Sequence, residues 1–117
     1  MNYLMIGAIF GCLAVIMGAF GAHALNEILD DYGKSIYNKA VLYHMFHSIA
    51  ILILGLINKI QPEIQLSMAG WSFVIGIILF SGSLYMLAIT GIKLLGIITP
   101  IGGILFIIGW VVLILKV

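Results

Sequence analysis

Four long apolar runs, separated by short stretches that hold nearly every charge, constrain this chain more than any other feature. A helix needs about 20 mostly apolar residues to cross the hydrocarbon core of a bilayer. Lipid offers the backbone no hydrogen-bond partners, so a helix, which satisfies them internally, is the element that such runs form. Runs of that kind occupy residues 3–25, 40–57, 66–89 and 94–116. With 64% hydrophobic and 8% charged residues in a chain of 117, a water-soluble fold has no means of burying this surface. The sequence predicts an all-α protein, an integral membrane four-helix transmembrane bundle forming a single domain in the lipid bilayer.

Charge and motif content narrow the function. The formal net charge is +1 and the five lysines are scattered, so no nucleic-acid partner is expected. The single cysteine, Cys12, lies inside the first run and excludes an internal disulfide. No basic segment precedes that run, and it is longer than a signal peptide needs. It is therefore expected to be retained as a span despite the small-residue pattern Ala22-His23-Ala24. No nucleophile and base pair, paired carboxylates, phosphate loop or dinucleotide fingerprint is present, so no catalytic residue is assigned and the reading leans away from an enzyme.

The connections carry their own signals. In residues 26–39, Leu25, Ile28, Leu29, Tyr32 and Ile36 recur at helical spacing opposite Glu27, Asp30, Asp31 and Lys34. This predicts an amphipathic interfacial helix between the first and second spans, with an Asp30–Lys34 pair at i,i+4 and Gly33 bending or ending it. Pro62 marks the next turn, and Trp71 is an interfacial anchor at the entry to the third span. Thr99-Pro100 reads as an N-cap followed by proline at the first helical position. The last helix then runs from Pro100 to Lys116, with Gly91 to Ile98 as an apolar connector. The alternative is a helix from Leu94 kinked at Pro100.

Small residues mark packing faces. Gly7, Gly11, Gly18 and Ala22 share one face of the first span, and Gly102, Gly103 and Gly109 lie in the last, where they let a neighbouring backbone come close. One copy of so short a chain offers a thin core, so these faces also predict a homo-oligomer.

Because successive spans alternate in direction, the polar side chains collect at one membrane face. His23 closes the first span and His44 and His47 open the second. Ser81, Ser83, Tyr85 and Thr90 lie in the second half of the third, and Thr99 opens the fourth. Polar groups in hydrocarbon are costly unless paired or turned inward, so His23, His44, His47, Ser81, Ser83, Tyr85 and Thr99 are predicted to share a polar pocket. His23, His44 and His47 are its candidate metal ligands, three imidazoles suited to a transition metal or a haem iron. The competing reading has the histidines hydrogen-bonding across helices to hold the bundle together. Cys12 is no co-ligand, because eleven residues of helix place it about 16 Å from His23. Methionines 5, 17, 45, 68 and 86 are spread over several depths and read as gap fillers. The helix start at Thr99-Pro100-Ile101-Gly102-Gly103 can receive an anionic or carbonyl group, or close helix packing.

Four stretches in order, Gly18-Ala19-Phe20-Gly21-Ala22-His23-Ala24-Leu25, Tyr43-His44-Met45-Phe46-His47, Leu79-Phe80-Ser81-Gly82-Ser83-Leu84-Tyr85 and Thr99-Pro100-Ile101-Gly102-Gly103 with Gly109-Trp110, resemble a widespread family of small bacterial membrane proteins. That family is classed as a domain of unknown function, number 423. The resemblance implies a multi-pass protein of the bacterial cytoplasmic membrane, with both termini cytoplasmic, and brings no activity or cofactor. The expectation from the residues is a binding module whose polar pocket takes a metal, haem or lipid-like molecule. A small transporter or channel component, or a purely structural subunit of a membrane complex, are the alternatives.

Overall fold

In the computed structural model, which describes residues 1–117, every long apolar run is helical and no strand forms. Helix α1 spans Tyr3–His23, α2 Asp31–Ile60, α3 Ser67–Thr90 and α4 Thr99–Lys116, and a short 3-10 helix at Lys93–Ile97 precedes α4. Four segments are long and apolar enough to cross a membrane, the fourth running Lys93–Lys116.

The helix ends follow from local chemistry. Asn2 accepts a hydrogen bond from the Met5 amide at 3.1 Å and starts α1. Asp30 accepts from the Gly33 amide at 2.6 Å and starts α2. Gly91, the one residue with positive φ, terminates α3 in the left-handed conformation that glycine adopts without penalty. Pro62 sits in the tight turn that sends α3 back along α2.

Two expectations about the connections are corrected. The stretch 26–39 is not a separate interfacial helix: residues 24–30 form turns, and from Asp31 the chain is the start of the 30-residue α2. Leu25 and Leu29 plug inward against Tyr37, and Ile36 packs on Leu84 and Leu87 of α3 instead of lying on headgroups. Asp30 serves as the N-cap, and Gly33 falls in the first turn, where its flexibility costs little. At the other connection, Thr99 is not an N-cap. It is the first residue of α4, preceded by Ile98, and it makes no capping bond, while Pro100 occupies the first turn as proline can. The Gly91-to-Ile98 connector holds the 3-10 helix.

The helices form an open row. α1 packs on α2, α2 on α3 and α3 on α4, while α1 and α4 share no substantial interface. The core lies between α2 and α3, where Ile51, Leu54 and Phe73 are fully buried, with Tyr3 of α1 and Phe106 of α4 closing it from either side. Glycines seat aromatic rings. A Cβ on Gly76 would fall 2.6 Å from the Phe106 ring, one on Gly109 2.5 Å from Phe73, and one on Gly102 would collide with the Phe80 backbone. This interlocks α3 and α4. On α1, a Cβ on Gly7 would meet Leu52 at 2.8 Å and one on Gly18 would meet Val41 at 3.4 Å, whereas Gly11 faces open space and Ala22 is exposed. Gly103 leaves room, with Phe80 atoms 3.8 Å away.

Candidate functional site

The intramembrane polar side chains bond to one another and to the backbone, each in a position set by its helix. His44 and His47, one turn apart on α2, are both buried, at 4% and 3% exposed. His44 Nδ1 lies 2.9 Å from the Tyr85 hydroxyl of α3. His47 Nδ1 lies 2.8 Å from the Tyr43 carbonyl, which only accepts, so this nitrogen carries the proton. Its Nε2 then accepts from the Trp110 indole N–H of α4 at 3.0 Å, and His47 is a neutral imidazole with both nitrogens committed. Ser81 donates to the Ala40 carbonyl at 2.7 Å, and Ser83 and Thr99 share a hydrogen bond of 2.6 Å. Polar groups of α2, α3 and α4 thereby stitch neighbouring helices together.

His23 does not join them. It ends α1 in an exposed position, and no group of three His, Cys, Asp or Glu side chains converges to hold a metal ion. The proposed trio of metal ligands is therefore corrected to an exposed histidine and two buried ones. His47 has no lone pair left for a metal. His44 keeps a buried Nε2 without a hydrogen-bond partner, but the helices close over it, and the Phe10 ring of α1 sits edge-on at 6.0 Å. Neither imidazole presents a free nitrogen to an open cavity, as an iron-bound porphyrin requires.

The open space lies elsewhere. A groove of about 800 Å³ runs between α2 and α4, walled by Leu42, Tyr43, Phe46 and His47 of α2, Phe80 of α3, and α4 from Pro100 to Trp110. Its wall contains three nearly parallel rings. Phe106 stacks face to face on His47 at 3.6 Å and 7°, and Tyr43 lies 6.1 Å from His47 and 6.3 Å from Phe106, tilted by 11° and 17°. The Tyr43 carbonyl is used by His47, while its hydroxyl has no partner in the protein. Sequence reasoning missed Trp110, Phe106 and Tyr43 as parts of this site. One signal was present: a tryptophan deep in a span, away from either interface, needs an acceptor for its N–H.

The family described as "protein of unknown function (DUF423)" matches residues 17–103, which contain the glycine-rich end of α1, both buried histidines and the start of α4. The chain belongs to this family. A UPF0382 membrane protein of Staphylococcus epidermidis is 49% identical over 97% of this chain and 93% of its own length. One of Staphylococcus aureus is 50% identical over the same shares. The UPF0382 membrane protein YwdK of Bacillus subtilis is 41% identical over 97% of this chain and 94% of its own. No solved structure matches the chain. DUF423 membership, relatives named membrane proteins and four apolar helices make this a membrane protein.

Proposed function

We propose that this DUF423 protein binds a lipid-like molecule in the groove between α2 and α4. The observation that carries the reading is the groove itself: about 800 Å³ of space, walled mainly by apolar and aromatic side chains, on helices that cross the membrane. Sites of this volume and character suit small apolar ligands. Of the three ligand classes considered, a metal and a haem lose support because His47 is fully engaged and no donor cluster forms. A transport path is disfavoured by the layer below the histidines, where Ile51, Leu54 and Phe73 are completely buried and offer no polar route.

The test uses Gly103, which lines the groove and has space for a side chain. The protein and its Gly103→Leu variant are purified in mild detergent and their retained lipids compared by mass spectrometry. One lipid species, enriched over bulk membrane in the parent and reduced about tenfold in the variant, is the expected result. Equal lipid profiles would remove the proposal. The reading places the protein in the cytoplasmic membrane with both termini cytoplasmic. It assigns self-association to the outer face of α1, where Ala8, Cys12 and Ala19 are exposed. Oxidative cross-linking through Cys12 in native-like lipid should trap a dimer, and monomer alone would count against this face.

A further inference from the structure

We infer that the notch between the end of α1 and the start of α2 holds the head of an anionic phospholipid, a phosphate carrying a hydroxyl-bearing group such as glycerol. This cavity of about 300 Å³ is separate from the α2–α4 groove and shares no lining residue with it. On α2, Lys34, Tyr37 and Asn38 are spaced by three and four residues and so present one face to it. Opposite them on α1, Gly18, Gly21 and Ala22 repeat the same spacing and leave the space open. A Cβ on Gly21 would collide with the Tyr37 ring, so this glycine lets the ring form the floor.

The charge in the notch has one sign. The i,i+4 spacing of Asp30 and Lys34 predicts an ion pair, but none forms, and Asp30 instead caps the Gly33 amide. Lys34 is half-buried in the lining, which contains no carboxylate. Tyr37 gives its O–H to the Met17 carbonyl, which leaves the Lys34 ammonium and the Asn26 and Asn38 amides to meet a ligand. These donate to phosphate oxygens, and the amide oxygens accept from hydroxyls of the head. An ethanolamine or choline ammonium finds no anionic partner here. Residues 26–39 together carry three carboxylates against two lysines, so it is the notch, and not the summed charge of the segment, that draws an anion. Its depth selects a lipid over a free ion. Gly18 lies five residues before the end of α1, so the notch descends about 8 Å along an apolar span. A free phosphate entering it loses hydration, whereas a lipid phosphate keeps its acyl chains in hydrocarbon.

Native mass spectrometry of the protein released from micelles, with added lipids titrated one at a time, tests this. Phosphatidylglycerol should bind about tenfold more tightly than phosphatidylcholine or phosphatidylethanolamine. Lys34→Gln removes the cation and should weaken phosphatidylglycerol about tenfold, the loss of one charge-assisted hydrogen bond. Lys39→Gln makes the same charge change outside the cavity and should shift the affinity by less than about twofold. Ala22→Leu, an exposed position that fills the notch from α1, should abolish the preference for phosphatidylglycerol. Equal losses in Lys34→Gln and Lys39→Gln would overturn the inference, as would equal binding of the three lipids. Inorganic phosphate displacing phosphatidylglycerol at equal concentration would also overturn it and assign the notch to a free anion.

Discussion

His47 and Trp110 fix each other, and their pairing sets what the surrounding residues can do. With Nδ1–H given to Tyr43 and Nε2 accepting from the indole, any change to Trp110 strands a buried acceptor. An unpaired buried group costs about 1–3 kcal/mol, whereas a hydrogen bond between membrane helices averages about 0.6 kcal/mol. Trp110→Phe should therefore destabilise the protein by about 2 kcal/mol, and Ser83→Ala, which leaves the Thr99 hydroxyl free to turn to a backbone carbonyl, by less than about 1 kcal/mol. Unfolding in mixed micelles followed by far-UV circular dichroism measures both, and equal losses would contradict this ordering. Protein purified without added metal should also carry no stoichiometric metal and no haem absorbance, because His47 has no free lone pair and His44 Nε2 is closed off.

At the scale of the helices, glycine contacts separate packing from mere smallness. A side chain at Gly102 would meet the Phe80 backbone, which cannot give way, so Gly102→Leu should force α3 and α4 apart and cost more than about 2 kcal/mol. Gly11, where an added Cβ would have no neighbour within 4 Å, should accept alanine within about 0.5 kcal/mol. Thermal denaturation in detergent compares the two. These differences also show what could be read from the residues. The spans were legible because hydropathy and length alone decide them. His44, His47, Ser81, Ser83, Tyr85 and Thr99 do not line one pocket in the fold but bond locally, His44 with Tyr85, Ser83 with Thr99, Ser81 with the Ala40 carbonyl and His47 with Trp110. The fate of 26–39 was not legible: an amphipathic pattern over two or three turns looks the same on a surface helix and on the first turns of a long one. Nor did glycine spacing name partners. It identifies a thin face, but Phe106 finds Gly76 only through tertiary packing. Thr99 carried a capping signature, yet in the fold its hydroxyl bonds Ser83 instead.

For the whole molecule, four spans place both termini on one side, with Lys59 and Lys116, and the first and third connections on the other, with Lys34 and Lys93. In a Cys12→Ser background, single cysteines at positions 59 and 116 should react with a membrane-impermeant maleimide from the same side of oriented vesicles. Cysteines at 34 and 93 should react only from the opposite side. Mixed labelling within either pair would break the topology.

The length of α2 sets a mechanical condition on this row. Thirty residues of helix extend about 45 Å, while the hydrocarbon core is about 30 Å thick, so the helix must lean steeply or stand out into water at one end. Asp31, Lys34 and Lys39 mark that end, and the same unbroken rod carries Tyr43 and His47. Because the rod is unbroken, a change in its tilt carries Tyr43 and His47 together, and with them one wall of the groove.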